Sequence, residues 1–162
     1  MLEQFVEESC FQTYEEFVRD FRIKIPANFN YAYDVVDQIA AKTPEKTALV
    51  WCDERGNSKI ISFLEVKEYS DRMAGFLKRM GIGKGDPVML ILKRRYEFWF
   101  ALLGLHKVGA VAVPATHLLT AADLIYRNNA AAVKMIIAVA DPEVITHIEA
   151  AEGESPTLKY KV

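Results

Sequence analysis

The sequence predicts an α/β fold: an open, mainly parallel sheet with helices on both faces, preceded by an N-terminal helical arm and a β-hairpin. Two patterns predict it. Between Pro87 and Ala140, apolar runs of strand length (PVMLIL, AVAV, KMIIAVA) alternate with longer segments whose apolar residues recur every three or four positions. That is a βαβαβ unit, and parallel strands need a covering crossover that is right-handed in nearly all cases. The punctuation between segments also agrees with the pattern, as each element shows in turn.

Residues 1–25 read as an amphipathic helical arm. Thr13 and Glu16 have capping-box spacing, and Tyr14, Phe17, Val18 and Phe21 make one apolar stripe. Its polar face carries Glu3, Glu7, Glu8, Glu15 and Glu16, which favours packing on the domain over lying on a membrane. The expected division is an arm over 1–27 and one domain portion over 28–162. Tyr31–Ala41 reads as a short helix, Thr43–Lys46 as a turn, and Thr47–Cys52 as a strand folded back by Glu54–Asn57 onto Lys59–Ser62. Ser62 and Glu65 repeat the capping-box spacing and open a helix with Val66, Tyr69, Met73, Phe76, Leu77 and Met80 inward.

Val88–Leu92 is an unbroken apolar run suited to a strand covered on both faces. The helix after it, from Tyr96 to Val108, is apolar over most of its circumference, and Gly109 stands where a left-handed C-cap would stop it. Val111–Val113 is a second strand halted by Pro114. Thr120 with Asp123 caps the next helix, Met135–Val139 is a third strand, and Asp141 with Pro142 opens a last helix through Val144, Ile145 and Ile148. Thr157–Val162 begins a further strand.

Composition narrows the function. At 51% apolar, 162 residues form one domain that buries about two-thirds of its unfolded surface. A net charge of −2 argues against a nucleic-acid partner. No apolar run reaches the roughly 18 residues of a membrane span, and the acidic start lacks the basic region of a signal peptide, so a cytosolic compartment is expected. Cys10 and Cys52 are isolated thiols. GIGKGD (81–86) follows a helix and precedes a strand, the reverse of a phosphate loop, and reads as a helix stop and turn. Lys93, Arg94 and Arg95 lie past a strand's carboxyl end, where open α/β sheets bind ligands, yet such basic corners are commonly solvated. His106 and His147 have no acid or metal-ligand companion in sequence and read as structural or surface histidines.

The ordered series NFNYAYDVVDQIA, PEKTALVW, ISFLEVKEYSDRMAGFLKRMGIGKGDPVML, EFWFALLGLHKVGAVAVPAT and LTAADLIYRNNAAAVKMII resembles the N-terminal part of an AMP-forming acyl-CoA synthetase. The resemblance runs from about Asn28 to Val162 and is nearest the acetyl-CoA synthetase-like and medium-chain branch of the adenylate-forming superfamily. It implies a two-step ligation: a carboxylic acid and ATP, with Mg²⁺, give an acyl-adenylate and pyrophosphate, and the coenzyme A thiol then displaces AMP. That chemistry needs a Ser/Thr/Gly-rich phosphate loop ending in lysine, a ribose-binding aspartate and a lysine on a mobile C-terminal domain. None of the eight glycines lies in such a loop. No catalytic residue is therefore assigned here, and this chain alone is expected to be inactive, with no tightly bound cofactor. The resemblance places the loop Thr116, His117 and Leu118 near the coenzyme A and acyl channel, as the candidate site residues. Self-association through exposed apolar surface or an unpaired edge strand is expected. The alternative is a stand-alone, non-catalytic binding or interaction module on the same fold.

Overall fold

The computed structural model describes residues 5–162. Its centre is a four-stranded parallel sheet in the order β4-β3-β5-β6, made of β3 (Pro87–Ile91), β4 (Val111–Pro114), β5 (Met135–Ala138) and β6 (Tyr160–Lys161). The register runs Val88 opposite Ala112 on one side and Met135 on the other. Val88, Met89, Leu90 and Ile91 are all buried, as a strand covered on both faces requires.

The strand order places the helices. From β3 the chain moves outward through α4 (Glu97–Val108) to β4, then returns past β3 through α5 (Ala121–Ala130) to β5, and onward through α6 (Pro142–Glu152) to β6. Right-handed crossovers in opposite directions put α4 on one face and α5 and α6 on the other. Around α4 stand α3 (Phe63–Arg79) and the antiparallel hairpin of β1 (Thr47–Cys52) and β2 (Ser58–Ser62).

Two buried apolar clusters result among the described residues. The larger joins the sheet to α3–α6; the smaller holds Ala32, Val36, Ile61, Val66, Phe100 and Leu103. Because α4 feeds both, its apolar residues spread round most of its circumference. Where α3 crosses α4, a Cβ on Gly104 would lie 2.5 Å from the Met73 Cγ, so only glycine allows this approach.

Local signals are met closely at the caps. Ser62 with Glu65 and Thr120 with Asp123 form reciprocal capping boxes, and Asp141 accepts from the amides of Glu143 and Val144. Gly109 takes the left-handed C-cap at φ 72°, and Gly81 ends α3's turn at the same φ.

Three expectations are corrected. The described residues of the arm, 5–25, are not one helix: α1 (Tyr14–Asp20) follows the Thr13 cap, while Val6 pairs with Ile23 in an antiparallel bridge. The apolar spacing holds for only two turns, and α1 buries none of its residues. Phe11, Phe17 and Phe21 instead pack on one another, with centroids 4.9–6.4 Å apart. Glu3 of that expected polar face lies outside the described residues. The helix at Tyr31–Ala41 divides into a π-helical turn, Ala32–Asp37, and α2 (Gln38–Lys42). The last strand is shortened to Tyr160–Lys161 because Leu158 turns back to hydrogen-bond the Ser155 carbonyl.

A buried lysine accompanies the π-turn. The Lys107 side chain is fully buried, with Nζ 2.9 Å from Asp37 Oδ1 and 2.7 Å from Asp71 Oδ1 and 5.4 Å from the Tyr33 ring centroid. Asn30 Nδ2 donates at 2.7 Å to the His106 carbonyl, which also accepts from the Gly109 amide at the end of α4. These bonds bind the segment before β1 to α3 and α4.

Candidate functional site

Doubly wound sheets bind ligands beyond the carboxyl ends of their strands, where neighbouring strands send their loops to opposite faces. Here β3 leads to α4 on one face, while its neighbours β4 and β5 lead to α5 and α6 on the other. The candidate site is therefore the rim formed by the loops after β3, β4 and β5.

The loop after β4 carries the three residues singled out from sequence. Thr116, His117 and Leu118 are all exposed, Leu118 at 75%. The Leu118 amide donates to Thr116 Oγ1 at 3.3 Å, a local turn that presents Leu118 outward before Leu119 returns to the core and Thr120 caps α5. The three thus share one loop at the predicted rim. An exposed apolar side chain, a hydroxyl and an imidazole suit a ligand with apolar and hydrogen-bonding parts.

The loop after β3 holds Lys93, Arg94 and Arg95. Lys93 adopts φ 50°, unusual for a side chain with a Cβ, and its ammonium pairs with Asp141 across the crevice between β3 and β5. That hydrogen bond from Lys93, followed by one from the Val144 amide, holds the Asp141 carboxyl below the usual carboxylate range. The loop is also tied to the hairpin: Trp51 Nε1 donates to the Arg94 carbonyl at 2.7 Å, and Trp51 meets Tyr96 edge-on at 5.4 Å. Sequence reasoning missed the Lys93–Asp141 pair, reading Asp141 only as a cap. Forty-eight residues separate the two, and only the adjacency of β3 and β5 reveals them as neighbours. Lys107 was missed as well, hidden as one cation in an otherwise apolar helix.

The remaining sequence candidates are structural. In GIGKGD the Gly83 amide donates to Asp86 Oδ2 at 3.0 Å, so the turn is closed by its own aspartate. The hydrogen bond from Lys134 at 2.5 Å, then that from Gly83, keeps the Asp86 carboxyl below its ordinary range. Burial alone pushes the His106 imidazole down; the Tyr31 ring stands edge-on to it at 6.4 Å. Among the described residues no group of three or more His, Cys, Asp or Glu side chains is arranged to hold a metal ion, and no helix is long and apolar enough to cross a membrane.

Comparison with known proteins agrees with this architecture. Residues 36–162 match the family described as AMP-binding enzyme. The chain is 32% identical over 145 residues to the human mitochondrial acyl-coenzyme A synthetase ACSM2A, covering 86% of this chain and 25% of that protein. It is 36% identical over 144 residues to rat mitochondrial ACSM4, with 85% and 24% covered. Among solved structures it is similar to the anthranilate CoA ligase AuaEII in complex with anthranoyl-AMP, with a TM-score of 0.74 and 25% identity over 85% of this chain and 25% of that one. It is also similar to the inhibitor-bound N-terminal domain of FACL13 from Mycobacterium tuberculosis, at TM-score 0.72 and 27% identity over 82% and 33%. The chain spans about a quarter of the length of the curated relatives it matches.

Proposed function

The chain belongs to the AMP-binding enzyme family, and from that premise we propose that it is the N-terminal portion of an AMP-forming acid–CoA ligase. In this reading the longer protein joins a carboxylic acid to coenzyme A through an acyl-adenylate, using ATP and Mg²⁺. The observation that carries it is the match of residues 36–162, in order, to a family whose curated relatives are named acyl-coenzyme A synthetases.

The chain's own residues bear on coenzyme A more than on ATP. Thr116, His117 and Leu118 fit a thiol-bearing chain that is partly apolar and partly amide, so these three line its approach. No glycine here forms a phosphate loop, and no step of adenylation is assigned to this chain's residues. The division into an arm over 1–27 and a domain portion over 28–162 belongs to the same reading. So does self-association of the chain through exposed apolar surface or the free edge of β6, which borders an open groove of about 240 Å³ lined by Ile136, Ala138, Ile145, Ile148 and Val162 among others. The compartment proposed from the sequence is the cytosol, whereas the relatives are named mitochondrial; fractionation of source cells decides between them.

An antibody raised against the chain tests the central reading. The native product is expected to be several times larger than 18.4 kDa and to release pyrophosphate dependent on ATP and acid. A native band at that mass, together with measurable coenzyme A affinity in the short chain, would turn the reading to a binding module. In the long form, Leu118→Asp is expected to raise the KM for coenzyme A about tenfold, the order of one lost apolar contact, while acid-dependent pyrophosphate exchange is unchanged. Equal loss of both activities would remove the loop from the coenzyme A path.

A further inference from the structure

The arm and the loop after β3 are complementary surfaces, and among the described residues no ion pair joins the two. Tyr14 and Val18, one turn apart on α1, stand 74% and 59% exposed, and Ile23 and Ile25 extend the apolar surface beyond the helix. The charge around them is acidic. Residues 7–20 contain five carboxylates against Arg19 alone, and Arg19 is taken by Asp20 at 2.5 Å. Glu7, Glu8 and Glu15 pair with no cation among the described residues.

The loop after β3 is opposite in sign. Arg94 and Arg95 pair with no carboxylate among the described residues, and Trp99, in the first turn of α4, is half exposed. Arginine and tryptophan are the side chains on which binding energy at interfaces most often rests. An apolar helix face ringed by carboxylates calls for a cationic surface with an apolar anchor. This sequence carries both halves.

We propose that α1 of one copy docks on the Arg94, Arg95 and Trp99 surface of a second copy, and reciprocally, so that two chains close into a dimer. Mutual docking closes the assembly at two, whereas one-way docking would propagate. An anionic membrane is the poorer occupant, since it repels the acidic arm. The inference rests on the self-association reading given above.

Sedimentation equilibrium of the 162-residue chain tests it. At low salt the species is expected at twice 18.4 kDa and to weaken as salt is added. The reversals R94E/R95E and E8K/E15K each weaken the dimer by about tenfold or more through like-charge opposition. Among the described residues none of these four side chains makes a hydrogen bond, so the reversals remove no bond that holds the fold. The quadruple variant, with both signs reversed, dimerises again. A monomeric wild type overturns both this inference and the self-association reading. A dimer unmoved by either reversal, or one that the quadruple variant does not restore, overturns the docking alone and leaves self-association to another surface such as the β6 edge.

Discussion

Lys107 shows how much one buried charge commits its neighbours. Its ammonium is out of water, between Asp37 and Asp71, so losing it strands the largely buried Asp37 carboxylate and leaves Asp71 with Lys67 alone. Lys107→Met is expected to destabilise the chain by about 3 kcal/mol in urea unfolding, the usual order for breaking a buried pair. Burial by itself would raise the Asp71 carboxyl, but hydrogen bonds from Lys107 and Lys67 together outweigh it and hold it below the ordinary range. Asp71 and Asp86 therefore lose protons more readily folded than unfolded. Their contribution is complete well above the unfolded carboxyl value of about 3.9 and is lost as pH falls through their folded values. His106 adds an earlier limb. Its lowered folded value means the unfolded chain takes the proton first, so stability begins to fall below about pH 6.5. Urea midpoints between pH 8 and 2 are expected to fall in two stages, and His106→Gln should remove the upper one; an unchanged upper stage would put its origin elsewhere.

At the scale of elements, what could be read from sequence was whatever depends on near neighbours. The caps at Ser62, Thr120 and Asp141, the stop at Gly109 and the strands at Thr47, Pro87 and Met135 are each decided within a few residues, and each stands within a residue or two of its expected place. The arm failed because two turns of apolar spacing do not sustain a helix without a surface to pack on. The Trp51–Arg94 bond was illegible for another reason: it joins the hairpin to a loop 43 residues away, and nothing local marks an indole as a donor to a distant carbonyl. Trp51→Phe is expected to keep the ring packing and lose only that bond, at about 1 kcal/mol, while amide exchange quickens in 92–96. Unchanged exchange there would show that the loop is held by the Lys93–Asp141 pair instead. The rim itself was half legible. Thr116, His117 and Leu118 could be placed from the strand before them, but the crevice between β3 and β5 exists only once the strand order is known.

At the scale of the whole molecule the described residues form two buried apolar clusters, and among the described helices and strands α3 and α4 alone contribute to both. The sheet and the hairpin layer are thus coupled chiefly through one helix pair, seated on the close approach of Gly104 to Met73. Gly104→Ala forces these backbones apart and is expected to cost about 1–3 kcal/mol, as overpacking usually does. The same contact bears on cooperativity. While the helices interlock, the sheet and the layer above it melt as a unit. With the seat wedged open, the layer built on Ala32, Val36 and Ile61 is free to unravel first. A broadened or split calorimetric transition in that variant, beside a single sharp one in the parent, would mean that a missing side chain makes these two clusters behave as one.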